Sequence, residues 1–102
     1  MHSMNNLKKL PKLSKGAKAM TDAFWAYDNA VMTEDSAIPK KYKELIALGV
    51  ALTTQCSYCL EIHGKAAREA GATDKEIAEA IHIAAAIRAG GAITHGTHLF
   101  IE

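Results

Sequence analysis

Hydrophobic positions in this chain recur every three or four residues, the spacing that places side chains on one face of an α-helix. Val, Ile and Thr are scattered rather than alternating with polar residues, so the pattern predicts no strands. The first stripe predicts a helix from about Ser14, a plausible N-cap, to about Met32, after a polar, basic segment over residues 1–13. Trp25 lies off this stripe, whose members are Met20, Phe24, Tyr27 and Val31.

Two further helices are predicted in the middle of the chain. A loop is expected over residues 33–38, and Pro39 suits the first position of a second helix, which should fade near residues 53–54. A third helix should begin around Ser57. It should stop at Gly71, because glycine is the usual residue just beyond a helix C-terminus.

The C-terminal third of the chain predicts two more helices. Thr73 and Glu76 have the spacing of a capping box, so a fourth helix should open there and run to about Ala89. The Gly90–Gly91 pair is expected to break or tighten the path before a short last helix over residues 92–100. The sequence therefore predicts an all-α domain of about five helices.

The length of the chain limits the number of domains, and its net charge limits the kinds of binding partner. The 102 residues fit a single domain over residues 1–102, and a net charge of +1 gives no electrostatic case for nucleic acid or a membrane surface. No unbroken apolar run approaches about 18 residues, and the N-terminus lacks a signal-peptide pattern, so a cytoplasmic location is expected.

Residues 81–87 are apolar on nearly every side. Because a helix of that kind is normally buried, this short chain is predicted to form a homo-oligomer.

A pair of cysteines lies at the predicted start of the third helix. In the CxxC of Cys56 and Cys59 the two thiols are close enough to form a disulfide, and the positive end of the helix favours a thiolate. In a reducing cytosol such a pair is more typical of catalysis, redox exchange or metal binding than of structure. His63 follows Cys59 by four residues, so both lie on one helix face, where the imidazole can take the thiol proton.

Glu44 joins this group if the chain folds back on itself. Along one continuous helix it would lie about 18 Å from Cys56. The midpoint between Glu44 and His63, however, falls at residues 53–54, where the second helix is expected to end. An antiparallel helix pair would bring Glu44 level with His63 and Cys59, where a carboxylate can orient the imidazole and accept its protons.

Each of these residues also has a less specific interpretation. The CxxC could be half of a zinc site completed by His95 and His98, although zinc sites usually hold such pairs on short knuckles rather than at a helix start. The cysteines could also be inert and buried, and Glu44 could be an ordinary solvated residue. His82 interrupts an apolar helix and is interpreted as a structural histidine, whereas His95 and His98 could cap or line the site.

The motif as a whole resembles a known family. The motif consists of Glu44, a gap of eleven residues, Cys56-x-x-Cys59, a gap of three residues, and His63. This spacing is similar to the core motif of the alkyl hydroperoxidase D-like proteins, which belong to the carboxymuconolactone decarboxylase superfamily. The resemblance covers about residues 38–100. It implies an all-helical fold that assembles as trimers or hexamers.

The resemblance also implies a thiol-dependent peroxidase. Cys59 would attack a hydroperoxide and become a sulfenic acid, and Cys56 would resolve it to a disulfide, with Glu44 and His63 as the proton relay. No cofactor would be bound, and an external dithiol reductant of lipoyl type would restore the thiols. Because Cys59 shares a helix face with His63, it is predicted to be the thiol of lower pKa.

The sequence departs from this family pattern at Tyr58. The best-known peroxidases carry a second histidine there, so the departure bears on peroxidase efficiency and on the identity of the reductant. A general disulfide reductase and a decarboxylase-like lyase stay open as alternatives, and so does a structural, zinc-binding helical oligomer. The CxxC argues against the lyase, since the lactone decarboxylases of the superfamily do not rely on such a pair.

Overall fold

The computed structural model describes residues 2–33 and 35–102, and all regular secondary structure in these two ranges is helical. This confirms the predicted all-α class. Within the described ranges there are two 3-10 helices, Met4–Lys9 and Thr97–Leu99, and five α-helices: α1 (Pro11–Gly16), α2 (Lys18–Met32), α3 (Lys40–Thr54), α4 (Ser57–Glu69) and α5 (Asp74–Gly96).

The N-terminal part is more helical than predicted, and it is broken at a different place. The described part of the basic segment forms a 3-10 helix and then α1, which has Pro11 in its first turn. Proline is favoured at that position, so Pro11 was the missed signal. The single helix predicted from Ser14 to Met32 is wrong, because the backbone leaves helical geometry at Ala17, with φ −149° and ψ 67°, and α2 begins at Lys18.

The chain reverses slightly later than predicted. Thr53 and Thr54 remain inside α3, where their hydroxyls donate to the carbonyl of Val50 at 2.8 and 3.1 Å. The turn itself falls on Gln55, which has left-handed backbone geometry with φ 58° and ψ 43°. The loop predicted before α3 includes Glu34, which lies outside the described residues.

The ends of α4 and the start of α5 agree with the sequence signals. Gly71 adopts φ +96°, just beyond the end of α4, a region that L side chains rarely enter. The predicted capping box is present: the Glu76 backbone N–H donates to the Thr73 hydroxyl, and the Thr73 N–H donates to the Glu76 carboxylate at 2.9 Å. That bond, together with an ion pair to Lys41, lowers the pKa of Glu76.

The Gly90–Gly91 pair does not break the last helix. α5 runs without interruption for 23 residues, so the predicted split into two helices is wrong. Each glycine costs a helix roughly 1 kcal/mol relative to alanine, which is not enough to end a long helix. The alanines on either side, Ala89 and Ala92, are the strongest helix formers and support the continuous path.

The small core lies where α4 and α5 pack on α3. Its buried residues are Leu48, Ala67 and Ala72, and half-buried Leu45, Leu60 and Ile77 surround them. Leu48 is 6% exposed and Ala67 is fully buried. Because α3 lies between the other two helices, its residues face both α4 and α5.

In contrast, two apolar surfaces are left uncovered. We call them the outer apolar faces; they comprise Met20, Phe24, Tyr27 and Val31 on α2 and Ile81, Ile83, Ile87 and Ile93 on α5. The stripe predicted to give α2 its apolar face is therefore exposed to solvent in the single chain. By length and composition alone, the stretch from Asp74 to Leu99 could also cross a membrane.

Candidate active site

Cys56 occupies the N-cap position of α4, directly after the left-handed turn at Gln55. Its sulfur accepts a hydrogen bond from the backbone N–H of Cys59 at 3.3 Å. Both cysteines are free thiols and both are half-buried. The first thiol therefore faces the unpaired N–H groups and the positive end of the helix dipole, an environment that stabilises a thiolate.

The two thiols consequently differ in acidity, in the order opposite to the prediction. A hydrogen bond from the Cys59 thiol, aided by backbone N–H groups, lowers the pKa of Cys56. The same hydrogen bond, together with desolvation, raises the pKa of Cys59 to about 11. Cys59 was predicted to be the more acidic thiol because it shares a face with His63, but the hydrogen bond that its thiol donates to the Cys56 sulfur has the larger effect on both pKa values. At neutral pH Cys59 therefore needs a base to ionise.

Glu44 and His63 meet across the reversal. The Nδ1–H of His63 donates to Oε2 of Glu44 at 2.6 Å, and Glu44 is only 1% exposed. The predicted register of the two helices is confirmed by this contact, whereas the catalytic roles of the two residues stay predictions. Because an ionised carboxylate accepts at Nδ1, Nε2 of the neutral ring is left without its proton and can accept one.

Lys40, which the sequence analysis missed, completes the surroundings of the buried carboxylate. Its ammonium donates to Oε1 of Glu44 at 2.8 Å and also to the backbone carbonyl of Met32, at the end of α2. The i, i+4 spacing of Lys40 and Glu44 was the available signal. With a cation on one oxygen and an imidazole on the other, Glu44 is held as a buried anion without an unsatisfied polar atom.

Cys59 and His63 open into the same cavity, which has a volume of about 450 Å³. Its wall comes from α2, the segment before α3, α3 and α4, and is mostly apolar, with contributions from Val31, Met32, Ile38, Ile46, Ala47, Val50, Ala51 and Thr54. The charged members of the wall besides His63 are Asp28 and Lys43. Cys56 is not part of this wall, so the two thiols face different surroundings.

Tyr58, at the position where the family pattern has its second histidine, contacts the N-terminal segment. Its hydroxyl accepts a hydrogen bond from the Asn6 side chain at 2.7 Å, and its ring lies 4.6 Å from that of His2. His2 also bonds Glu61 at 3.2 Å. Tyr58 thus supports packing of the N-terminus on α4.

The remaining histidines lie apart from this group. His95 and His98 contact each other, with ring centroids 5.1 Å apart, and His82 is exposed on α5 rather than buried as a structural histidine would be. Among residues 2–33 and 35–102, no three His, Cys, Asp or Glu side chains are grouped so that they could hold a metal ion. The zinc alternative therefore gains no support from the fold.

Comparison with known proteins places this site in a family. The model of the carboxymuconolactone decarboxylase family matches residues 18–102, from the start of α2 to the C-terminus. The chain belongs to this family. The match includes α2, which lies before the segment on which the sequence resemblance rested and supplies one wall of the cavity. The superfamily also contains the alkyl hydroperoxidase D-like proteins that the motif resembles.

Several relatives resemble this member of the family. A Paracoccus denitrificans protein named "Uncharacterized protein 4 in cox locus" is 45% identical over 86 residues, covering 84% of this chain and 77% of the relative. An uncharacterised Haemophilus influenzae protein is 37% identical over 66 residues, which cover 65% of this chain and 58% of that protein. The crystal structure of an apo carboxymuconolactone decarboxylase family protein from Legionella pneumophila is similar with a TM-score of 0.73 and 28% identity, covering 81% of this chain and 73% of that one.

Proposed function

We propose that this protein is a thiol-dependent peroxidase that reduces a hydroperoxide with the Cys56–Cys59 dithiol. The observation that carries the proposal is the cavity that Cys59 and His63 both line, with the His63 ring oriented by the buried carboxylate of Glu44. Nucleophile, base and orienting anion in this order are the arrangement that activates a thiol of high pKa.

The raised pKa of Cys59 makes the base necessary. With a pKa of about 11, the thiol is protonated at neutral pH, and a protonated thiol is a poor nucleophile. Nε2 of His63 takes the proton as the Cys59 sulfur attacks the peroxide, and Glu44 stabilises the imidazolium that forms. The imidazolium then returns the proton to the departing alkoxide.

The proposed steps balance without any bound cofactor. The Cys59 thiolate forms an S–O bond while the O–O bond breaks, so the sulfur is oxidised to a sulfenic acid and an alcohol leaves. The Cys56 thiolate then attacks the Cys59 sulfur, so that the S–S bond forms, the S–O bond breaks and hydroxide leaves, which takes a proton from solvent to become water. The lowered pKa of Cys56 suits this second role, since it increases the fraction of the resolving thiol that is ionised. An external dithiol of lipoyl type, as the family resemblance implies, reduces the disulfide.

We also propose that the working form is a homo-oligomer of three or more chains. The isolated chain exposes 8004 Å², whereas a folded monomer of 11.0 kDa exposes about 5,600 Å². Its radius of gyration is 17.0 Å, against about 13 Å for a compact chain of this length. Assembly through the outer apolar faces would remove this excess surface.

The acidity of Cys56 favours a second candidate, a general disulfide reductase. In that reaction the more acidic, N-capping Cys56 thiolate attacks a substrate disulfide, and Cys59 resolves the mixed disulfide. The two candidates assign the first attack to different sulfurs, so trapping experiments distinguish them. The decarboxylase-like lyase requires neither thiol.

Consumption of cumene hydroperoxide with dihydrolipoamide as reductant tests the proposal. We expect turnover by the wild type and none by Cys59→Ser. In Cys56→Ser, dimedone should trap a sulfenic acid on Cys59, whereas Cys59→Ser should give no comparable adduct on Cys56. Turnover that survives Cys59→Ser would overturn the peroxidase proposal. Activity toward a small disulfide that depends first on Cys56 would favour the reductase.

A further inference from the structure

Asp28 is a carboxylate in the wall of the cavity that Cys59 also lines. It belongs to α2, it is half-buried, and it lines the same 450 Å³ space as Cys59 and His63. Its charge acts on the sulfur: the field of Asp28 is one of the causes that raise the pKa of Cys59, after the hydrogen bond to Cys56 and desolvation. Apart from Lys43 and His63, the rest of the wall is mostly apolar.

The cations nearest to the cavity are directed elsewhere. Lys43 lines the wall, but its ammonium donates to the backbone carbonyl of Val31 at 2.8 Å, at the negative end of α2. Lys40 donates to Glu44 and does not line the cavity. Within residues 2–33 and 35–102, no hydrogen bond or ion pair to the Asp28 carboxylate is present.

From this arrangement we propose that Asp28 is a specificity-determining residue, which admits neutral and cationic substrates to Cys59 and disfavours anionic ones. The proposal rests on the proposed function, since it concerns the charge of the hydroperoxide that the cavity accepts. A hydroperoxide carrying a carboxylate would bring its charge toward Asp28 in a largely apolar space. A neutral hydroperoxide of the same shape carries no such cost.

The size of the effect follows from Coulomb's law. Two like charges separated by the width of such a cavity, at the effective dielectric constant of a half-buried site, change a rate by about three- to tenfold. Because the cavity is open to solvent, added salt should weaken the effect. Discrimination caused by the shape of the cavity wall would not depend on salt in this way. Varying the ionic strength therefore distinguishes an effect of the Asp28 charge from an effect of side-chain packing.

Alkylation of Cys59 in the Cys56→Ser protein measures this discrimination without peroxide turnover. Iodoacetamide and iodoacetate have similar size and both react with the thiolate, so the ratio of their rates reports reagent charge and cancels the thiolate fraction. The ratio is taken at one fixed alkaline pH and is normalised to that of N-acetylcysteine amide. We expect iodoacetate to be disfavoured about three- to tenfold with Asp28 present.

Asp28→Asn should bring the normalised ratio close to one. Asp22→Asn is the matched control, because Asp22 lies on the same helix but pairs with Lys18 and does not line the cavity. As a measurement that needs no variant at Asp28, raising the salt concentration should bring the ratio of the Cys56→Ser protein toward one.

A normalised ratio near one at low salt with Asp28 present, or equal ratios in the Asp28→Asn and Asp22→Asn proteins, would overturn the proposal. A preference for iodoacetate would also overturn it, since Lys43 would then dominate the charge of the wall. Absence of peroxidase activity together with the expected ratios would count against the proposed function alone, because alkylation does not require that reaction.

Discussion

The α3–α4 hairpin and the outer apolar faces of α2 and α5 differ in which kind of side chain they bury. In the hairpin a carboxylate, Glu44, is almost fully buried, and both of its oxygens are hydrogen-bonded. On the outer faces large apolar side chains such as Phe24 and Ile87 are more than half exposed. The single chain thus buries a charge and exposes hydrocarbon, the reverse of the usual distribution.

The contrast shows which contacts are complete within one chain. The hairpin satisfies the buried carboxylate of Glu44 from its own side chains, and it supplies most of the core, to which Ala72 and Ile77 add from outside it. The apolar side chains of the outer faces have no such partners within the described residues of the chain. We therefore expect substitutions in the hairpin to alter chemistry and folding, and substitutions on the outer faces to alter assembly.

The largest effect is expected from Glu44→Gln in the hairpin. Loss of the anion leaves the His63 imidazolium without its stabilising partner, so the peroxide reaction of Cys59 should slow by about 10²- to 10⁴-fold at neutral pH. The defect should narrow as the pH approaches about 11, where Cys59 ionises without help. Stopped-flow peroxide kinetics across pH measures both features.

Glu61→Gln is the control for that substitution. Glu61 lies on α4 but is exposed and bonds His2 rather than His63. It should react nearly as the wild type does. If Glu44→Gln and Glu61→Gln behaved alike, the proposed proton relay would be wrong.

Next in size is Leu48→Ala, which tests the core of the hairpin. Leu48 packs against Ala67 and Ala72, and truncating a buried leucine costs about 2–4 kcal/mol. The free energy of unfolding from urea titration should fall by that amount, while the oligomeric mass of the folded protein is unchanged. A loss below about 0.5 kcal/mol would mean that this contact is not the core of the chain.

A charge placed on an outer apolar face should act on assembly instead. Ile87 is 71% exposed in the single chain, so Ile87→Glu costs little there but introduces a charge into any interface formed by α5. Light scattering at micromolar concentration should return at least three times 11.0 kDa for the wild type and a lower mass for the variant. The helical circular dichroism should be retained.

Two results would contradict this prediction. A wild-type mass near 11.0 kDa would remove the proposed oligomer. Partition of the wild type into detergent or vesicles would instead indicate that the apolar stretch from Asp74 to Leu99 contacts lipid.

The smallest expected effect concerns the order of the two thiols. Since the Cys59 thiol is the largest cause of the lowered pKa of Cys56, Cys59→Ala, which removes the donor, should raise that pKa toward its ordinary value. Conversely, Cys56→Ser should bring the pKa of Cys59 below about 11. Ultraviolet absorbance of the thiolates during a pH titration measures both shifts. A Cys59 that titrates below Cys56 in the wild type would restore the order predicted from sequence.

Errors in the sequence predictions have specific physical causes. Gly90 and Gly91 were predicted to interrupt the helix, but each costs only about 1 kcal/mol in helix propensity. The remaining residues of the 23-residue helix α5 outweigh that cost. Pro11 lies in a segment that the hydrophobic pattern leaves irregular, although proline at the first helical position starts α1 there. The break at Ala17 has no strong local signal beyond the preceding Gly16, and we find no other sequence feature that would have located it.

The sequence by itself determined whatever depends on neighbours a few residues apart. These features are the helical class, the capping box at Thr73 and the start of α4 at the CxxC, because hydrophobic period and caps act locally. The pairing of Glu44 with His63 is not local, but the sequence predicted it because the expected reversal falls midway between the two residues. The structure was needed to decide which thiol is the acid, because the order depends on the direction of the hydrogen bond between the Cys59 thiol and the Cys56 sulfur, which the CxxC spacing does not fix. It also decided that Asp28 faces Cys59, because this proximity is created when α2 packs beside α3 and α4, and no local pattern records it.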